Sequence, residues 1–167
     1  PDRAIEEYKL TLMFDPNSAL VYARLATEYI KKGMLAEAME TCKEALRRNP
    51  AFTDARLLLA GLYSSSRETD LALAEYNRVL KTDPKHPRAM LAKVTTLVRE
   101  RKLDEAIAYL RQVIAADGKN AQARTLLGSV YIQKKEPKKA EEEYRRALAA
   151  DERFTPARFQ LARLTLD

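Results

Sequence analysis

The sequence holds little of what most enzymes use for chemistry. Its 167 residues include one cysteine, one histidine, no tryptophan and four glycines. Cys42 cannot form an intramolecular disulfide bond on its own, and His86 cannot supply an imidazole metal site or a histidine-based catalytic dyad. The glycines are too scattered to form a phosphate-binding loop. We therefore expect no catalytic residue, no metal and no cofactor.

Long hydrophobic runs are also missing. No apolar stretch approaches the roughly 18 residues of a membrane span, and no signal peptide or lipidation motif is visible. Charged residues make up 32% of the chain and the net charge is +6, which favours solubility over nucleic-acid binding. We expect neither a membrane nor a nucleic acid as partner. The cytoplasm is the favoured location, and the periplasm or cell envelope is the alternative if a leader was removed.

What the sequence does contain is a repeating unit with a period of 34 residues. Proline ends the first three units, and Gly118 and Glu152 take its place in the last two. A fixed period of this size is typical of a solenoid, in which each unit buries its apolar face on its neighbours. Alanine recurs every 34 residues, and aspartate or asparagine keeps the same step (Ala4, Ala38, Ala72, Ala106 and Ala140; Asp15, Asn49, Asp83, Asp117 and Asp151).

Each repeat predicts two helices. With Ala19 as position 1, apolar residues lie at positions 4, 7, 8 and 11 and again at 20, 24, 27 and 28. These are helical spacings on one face of each helix, helix A at about positions 2 to 14 and helix B at about 18 to 31. The sequence thus predicts an all-α solenoid of about ten helices. We expect a single array over residues 1–167, with a half repeat 1–18, full repeats 19–52, 53–86, 87–120 and 121–154, and a half repeat 155–167.

The third repeat is the least regular. Lys93 stands at position 7, where an apolar residue is expected, and Val94 stands at position 8, where a small residue is expected. We expect the Lys93 stem to run along the core with its amine in water. The alternative places its charge on the binding surface. Cys42 is interpreted as a small core residue and His86 as a loop residue.

Taken together, these features resemble the tetratricopeptide repeat. The features are the period, the small residues at positions 8 and 20, tyrosine or leucine at position 11 and proline at position 32, and they cover the whole chain. The resemblance implies helical hairpins stacked into a right-handed superhelix. It also implies a concave groove, lined mainly by helix A, that holds a peptide or a helix of a partner protein. The chain departs from the family pattern at position 4, which lacks tryptophan, and in the last two turns, which lack proline.

Two specialised versions of this family do not fit. The clamp for the C-terminal carboxylate of heat-shock chaperones needs Lys at position 5 and Asn at position 9, and the sugar-transferase members carry Asn at position 6. Positions 5 and 9 are here Ala23 and Thr27, Leu57 and Gly61, Leu91 and Thr95, and Thr125 and Ser129. Position 6 is Arg24, Leu58, Ala92, Leu126 or Gln160.

The middle of the implied groove is small and apolar. Such a surface suits the apolar face of a partner helix or a hydrophobic extended segment. The alternative is that these residues only complete the packing between neighbouring A helices. The predicted peptide-binding residues are Arg24, Thr27, Leu57, Leu58, Gly61, Leu91, Ala92, Thr95, Thr125, Leu126 and Ser129.

The sequence therefore predicts a non-catalytic protein–protein interaction scaffold. The alternative is the docking or assembly region of a larger enzyme or of a secretion or envelope complex. The half repeat 155–167 has no fully polar end cap, so we expect its apolar residues to be covered by another chain, by self-association or by missing sequence. Its apolar residues are Phe159, Leu161, Leu164 and Leu166.

Basic residues gather near the turns between helix A and helix B. They predict either a basic edge that binds an acidic partner or a loop edge that is only solvated. Acidic neighbours such as Glu68 and Asp104 reduce the positive charge of this edge. The second interpretation is favoured. The residues are Lys31, Lys32, Arg67, Arg99, Arg101, Lys102, Lys134, Lys135, Lys138 and Lys139.

Overall fold

The structure is a computed structural model that describes residues 2–164. These residues form ten α-helices and no β-strand, which confirms the all-α prediction. Leu166, predicted as an apolar residue of the last half repeat, lies outside the described residues. The helices are α1 (Asp2–Phe14), α2 (Ala19–Lys31), α3 (Leu35–Arg48), α4 (Thr53–Ser65), α5 (Thr69–Thr82), α6 (Pro87–Arg99), α7 (Leu103–Ala116), α8 (Ala121–Gln133), α9 (Pro137–Ala150) and α10 (Thr155–Leu164).

The turns after helix B explain the recurring aspartate or asparagine. The side chain of Asn49 accepts a hydrogen bond from the amide of Ala51 at 3.1 Å, two residues further along the chain. Asp151 accepts the equivalent hydrogen bond from the amide of Arg153 at 2.9 Å. Short polar side chains favour this local turn over a further helical turn. The periodic residue therefore ends helix B and fixes the entry into the next helix A.

The turns after helix A all contain one residue with a positive φ, and only in the first of them is that residue a glycine. Gly33 has a φ of 75°, and Arg67, Arg101 and Lys135 occupy the same position with φ near 61°. In each case the following amide donates a 2.9 Å hydrogen bond to the carbonyl five residues back, as Lys102 does to Leu97. This is the pattern of a helix end closed by a left-handed residue. Three basic residues thus occupy a position that favours glycine.

Side chains satisfy backbone groups at two helix ends. Ser65, in the last turn of α4, donates its hydroxyl to the Gly61 carbonyl at 3.0 Å. His86, expected as a loop residue, lies just before α6 and caps it, because its Nδ1 accepts a hydrogen bond from the Ala89 amide at 3.3 Å.

The chain forms two compact units, residues 1–83 and 84–167. In the first unit, α1 packs on α2, each helix from α2 to α5 packs on the next, and α2 also contacts α4. In the second unit, α6 contacts α7 and α8, and α8 contacts α7, α9 and α10. Each unit therefore stacks its A helices on one another and covers them with B helices, as the repeat predicts.

Close packing within each hairpin rests on small residues. The alanines at position 20 are fully buried, which confirms their predicted place in the core (Ala38, Ala72, Ala106 and Ala140). In the third hairpin, however, α6 and α7 pack less closely than the helices of the other hairpins. Val94 occupies position 8 there, where Ala26, Ala60 and Gly128 stand in the others. The branched side chain takes up space that the smaller residues leave for helix B.

Within residues 2–164, no helix is long and apolar enough to cross a membrane.

Candidate binding surface on the A helices

The predicted surface in the first unit is only partly accessible. Arg24 is exposed, and Thr27 and Gly61 are half-buried. Leu57, in contrast, is 8% exposed and belongs to the core. Leu58 is half-buried and packs against the buried residues of α2 and α4. A partner could reach Arg24, Thr27 and the edge of Leu58, but not Leu57.

The second unit offers more apolar surface. Leu91 is 50% exposed and Thr95 is exposed, while Ala92 and Leu126 are half-buried. Thr95 lies four residues from Leu91 and three from Ala92, so it is a neighbour of both on the surface of α6. The accessible part of the predicted surface is therefore concentrated on α6.

Two residues of the predicted binding set are buried. Leu57 lies in the core, and Thr125 is 6% exposed with its hydroxyl bonded to the Ala121 carbonyl at 2.8 Å. For these two residues, burial favours the alternative interpretation, in which position 5 completes the packing. Ser129 is half-buried, and its hydroxyl lies 3.3 Å from the Tyr144 hydroxyl. Its polar group is thus already satisfied within the hairpin.

A buried ion pair that the sequence analysis missed links helix A to helix B in two repeats. Arg56 at position 4 pairs with Glu75 at position 23 at 2.6 Å, and Arg124 pairs with Glu143 at 3.2 Å. All four side chains are 16% exposed or less. The arginine takes the place where the family pattern has tryptophan. The matching glutamate 19 residues later, present in both repeats, was the signal that could have revealed the pair.

The amine of Lys93 lies against an aromatic ring. Its Nζ lies 3.7 Å from the centre of the Tyr109 ring, on the neighbouring helix α7. Burial lowers the pKa of Lys93, and burial also raises the pKa of Tyr109 to about 12. The Tyr109 hydroxyl has no hydrogen-bond partner among the described residues. The expectation that the amine reaches open water is therefore wrong, because the amine ends on an aromatic face.

Several of the basic turn residues are already paired with acids. Lys31 pairs with Glu28 at 2.5 Å and Lys139 with Glu136 at 2.5 Å. Lys32 and Lys134 also form ion pairs, with Asp2 and Asp104. Such exposed pairs contribute little free energy but reduce the local positive potential. The solvated-edge interpretation is therefore favoured over a dedicated acidic-partner site.

Comparison with known proteins finds matches to one protein family. Two family models described as tetratricopeptide repeat match residues 29–94 and 91–153. The curated Hsp70-Hsp90 organizing protein 3 of Arabidopsis thaliana is 28% identical over 83 residues, which is 50% of this chain. The chain spans only 15% of that protein's length.

Solved structures of similar fold cover most of the chain. A structure of MamA has a TM-score of 0.68 at 21% identity, with 89% of this chain and 86% of that chain covered. YrrB, described as a tetratricopeptide-repeat protein with an unusual peptide-binding site, has a TM-score of 0.63 at 25% identity, with 95% and 82% covered. A thermophilic repeat protein of Thermus thermophilus has a TM-score of 0.67 at 20% identity, with 99% and 91% covered.

Proposed function

The chain belongs to the tetratricopeptide-repeat family of protein-interaction scaffolds, and we propose that it is non-catalytic and binds an apolar or amphipathic segment of a partner protein on its A helices. The observation that carries this proposal is the exposed face of α6. Leu91 is 50% exposed there, next to Ala92 and Thr95. An exposed leucine flanked by small side chains leaves room for an apolar side chain of a partner.

In each unit, the accessible residues support a smaller binding surface than the full predicted set. In the first unit it consists of Arg24, Thr27, Gly61 and the exposed edge of Leu58. In the second it consists of Leu91, Ala92, Thr95, Leu126 and the edge of Ser129. The similarity to YrrB supports a peptide ligand, because that protein is described as having a peptide-binding site. The similarity to the Arabidopsis chaperone organiser does not carry its partners to this chain, since the clamp residues are absent.

A selection from a displayed peptide library, with the 167-residue chain as bait, tests this function. A parallel selection uses the Leu91→Glu variant, and a third uses Leu71→Glu as a matched control. Leu71 on α5 is 47% exposed, close to the 50% of Leu91, but it belongs to a B helix. We expect apolar or amphipathic peptides that lose at least about tenfold in affinity on Leu91→Glu and bind Leu71→Glu normally. Peptides that bind all three baits equally would contradict the proposal.

A second function is favoured by the exposed apolar residues at the end of the chain. Phe159 on α10 is 64% exposed, and Leu161 and Leu164 are half-buried. Large exposed apolar side chains that share a helix are typical of interaction surfaces. We therefore propose in addition that α10 mediates assembly, by self-association or within a larger complex. A chain that stays monomeric at about 1 mM, where even weak complexes form, would contradict the self-association.

A further inference from the structure

Two adjoining clefts lie on the second unit, with α8 as their floor. Their volumes are about 460 and 340 Å³, and Arg124 and Arg146 line both of them. Helix α9 forms one side of each cleft, and the opposite side is α7 in the smaller cleft and the turn before α8 in the larger one. We call the two together the B-helix cleft, because α7 and α9 are both B helices. Its charged lining residues are Arg111, Lys119, Arg124, Glu143 and Arg146.

The B-helix cleft carries more positive than negative charge. Glu143 is the only acid among its described lining residues, and it pairs with Arg124 at 3.2 Å and with Arg146 at 2.9 Å. Glu142 pairs with Arg146 at the rim, at 2.5 Å. Four basic residues therefore face two carboxylates. A surplus of positive charge in a cleft attracts an anionic ligand.

Arg111 and Lys119 supply this surplus. Arg111 is exposed, and its Nη2 donates a hydrogen bond to the Tyr131 hydroxyl, a neutral group, at 2.9 Å. No residue three or four positions away from Arg111 on α7 is acidic. Lys119 is also exposed and forms no ion pair within residues 2–164, and the neighbouring Asp117 is paired with Lys85 at 2.9 Å. Both cations are thus accessible to a ligand.

The first unit repeats the central ion pairs of this cleft but neutralises the outer cation. Glu75 pairs there with both Arg56 and Arg78, as Glu143 does with its two arginines. Lys43 takes the place of Arg111 in the repeat, and it is paired with Glu40 at 2.7 Å. The central ion pairs therefore belong to the packing of the repeat, and the uncompensated arginine distinguishes the second unit.

Small side chains keep the B-helix cleft open. Ala115 on α7 and Ala149 on α9 are exposed, and each lines one of the two clefts. Arg47 and Lys81 stand at the equivalent positions of the first unit. Ile114, beside Ala115, is half-buried and adds apolar surface to the lining. The cleft thus combines an apolar patch with basic groups on both sides.

We propose that the B-helix cleft binds an extended acidic segment of a partner protein. Carboxylates of two nearby residues of this segment bind Arg111 at one end and Arg146, whose side chain is 53% exposed, at the other. A small apolar side chain between them lies over Ile114. Guanidinium groups suit this ligand, because they bind carboxylates through two parallel hydrogen bonds.

The spacing of the basic groups favours an extended segment over one small anion. Arg111 bonds to Tyr131 near the end of α8. Arg124, which shares Glu143 with Arg146, lies seven residues earlier on α8. Seven residues span about 10 Å of helix, and an extended segment rises about 3.3 Å per residue. Two acidic residues separated by one to three others therefore reach both ends of the cleft.

The cleft is independent of the binding surface proposed on the A helices. Its floor residues Arg124, Leu127 and Tyr131 are spaced by three and four positions and share one face of α8. Leu126, which belongs to the proposed apolar surface, lies on a different face. The two surfaces also differ in ligand, because one suits an apolar segment and the other an acidic one.

Titration of the ¹⁵N-labelled 167-residue chain with capped six-residue peptides, followed by NMR, tests the inference. Each peptide carries two glutamates separated by one, two or three alanines or valines, and glutamine versions are the controls. We expect a glutamate peptide to bind with a Kd below about 1 mM and to shift the amides of Ala115, Gly118 and Ala149. The glutamine version should bind at least about tenfold more weakly. Absence of these shifts with every glutamate peptide would overturn the inference.

Substitutions in the two units separate the cleft from a general effect of charge. Arg111→Ala should weaken peptide binding at least about tenfold, and the matched Lys43→Ala should leave it unchanged. The double variant Ala115→Arg with Ala149→Lys introduces the side chains of the first unit. It adds positive charge but fills the cleft, so binding should again fall at least about tenfold. Tighter binding by this variant, with its helix content unchanged by circular dichroism, would contradict the inference, as would equal effects of Arg111→Ala and Lys43→Ala.

Two further titrations define the ligand and its place. Inorganic phosphate at the concentration of the peptide Kd should not displace the peptide, and displacement would show that the cleft takes a small anion instead. Leu91→Glu should leave binding of the acidic peptide unchanged, and a loss would place the peptide on the A helices. Failure of the acidic peptides leaves the function proposed for the A helices untouched, since that function is measured with apolar peptides.

Discussion

The ring of Tyr144 on α9 lies directly against the α-carbon of Gly128 on α8. A β-carbon added at Gly128 would lie 2.4 Å from Cε1 and 2.7 Å from Cδ1 of that ring. Tyr144 is 1% exposed, so its ring has no free space into which it could move. This contact explains why position 8 of the fourth repeat carries no side chain.

Gly128→Ala should therefore lower the free energy of unfolding by about 1–3 kcal/mol, because overpacking forces the ring off its position. Gly61→Ala in α4 is the matched control, since a β-carbon there meets nothing within 4 Å. It should raise stability by up to about 1 kcal/mol through helix propensity. Urea denaturation of both variants provides the measurement, and equal changes of the same sign would refute this account.

The buried pair of Arg124 and Glu143 leads to a second prediction. Glu143→Ala leaves the Arg124 guanidinium buried without a counter-charge and should cost about 3 kcal/mol of stability. Glu141→Ala removes the ion pair between Glu141 and Arg145, whose side chains are 32% and 67% exposed. This change should cost less than about 0.5 kcal/mol. Thermal or urea unfolding distinguishes the two. Similar losses in both variants would show that the burial of the Arg124 pair has no energetic effect.

Lys93 gives a prediction about pH. Burial lowers the pKa of Lys93 below its ordinary value of 10.5, so the protonated amine disfavours the folded state. This penalty is fully present below the lowered pKa and disappears as the pH rises from there to the unfolded value.

Lys93→Met should therefore raise the free energy of unfolding at pH 7 by about 1 kcal/mol, after loss of the cation–π contact with Tyr109 is included. The gain should shrink as the pH approaches 10.5. Tyr109 also titrates late, but it does so in both proteins and cancels in the difference. Urea titrations at pH 7 and pH 10 test this, and a gain that grows with pH would be inconsistent with a buried cation. Lys81→Met, at an exposed site, serves as control.

The left-handed turn residues predict an easy gain in stability. Arg101 has a φ of 61°, a conformation that costs a non-glycine residue about 1–2 kcal/mol. Arg101→Gly relieves this strain and should stabilise the chain by about 0.5–1 kcal/mol. The gain is smaller than the strain itself, because glycine loses more backbone entropy on folding. Arg101→Ala removes the same charge but keeps the strain, so it should bring no gain. Gly33→Ala, at a φ of 75°, should be destabilising by about 1 kcal/mol, and thermal melts compare all three.

Cys42 gives a prediction about reactivity. It is fully buried, and burial raises the pKa of its thiol to about 12. At pH 8 only about one thiol in ten thousand is then ionised, and the thiolate is the reactive form. A colorimetric disulfide reagent should therefore react at least about 1,000-fold more slowly with the native chain than with the urea-unfolded chain. Rapid reaction without denaturant would mean that α3 opens readily.

Sequence periodicity was sufficient to find the helices of this chain. The small residues at position 20, the apolar spacing and the turn-forming aspartates recur at one interval, and all three reflect local backbone and packing rules. The same regularity identified the tetratricopeptide repeat. It also placed Ala38, Ala72, Ala106 and Ala140 in the core, where they are fully buried.

Accessibility could not be read in the same way. Leu57 and Leu91 occupy the same position in successive repeats, yet one is 8% and the other 50% exposed. The difference depends on which neighbouring side chains cover each position, and those neighbours are distant in sequence. The partner of Arg124 lies on a different helix and was missed for the same reason.

The sequence by itself determined that this chain forms helical hairpins of one repeating type, because helix periodicity, small packing residues and turn chemistry are local properties of consecutive residues. Only the tertiary structure decided which faces remain free. It buried Leu57 and Thr125, left Leu91 exposed, and placed the Lys93 amine on the Tyr109 ring. Burial and charge pairing depend on side chains brought together from separate helices, and a period alone does not specify them.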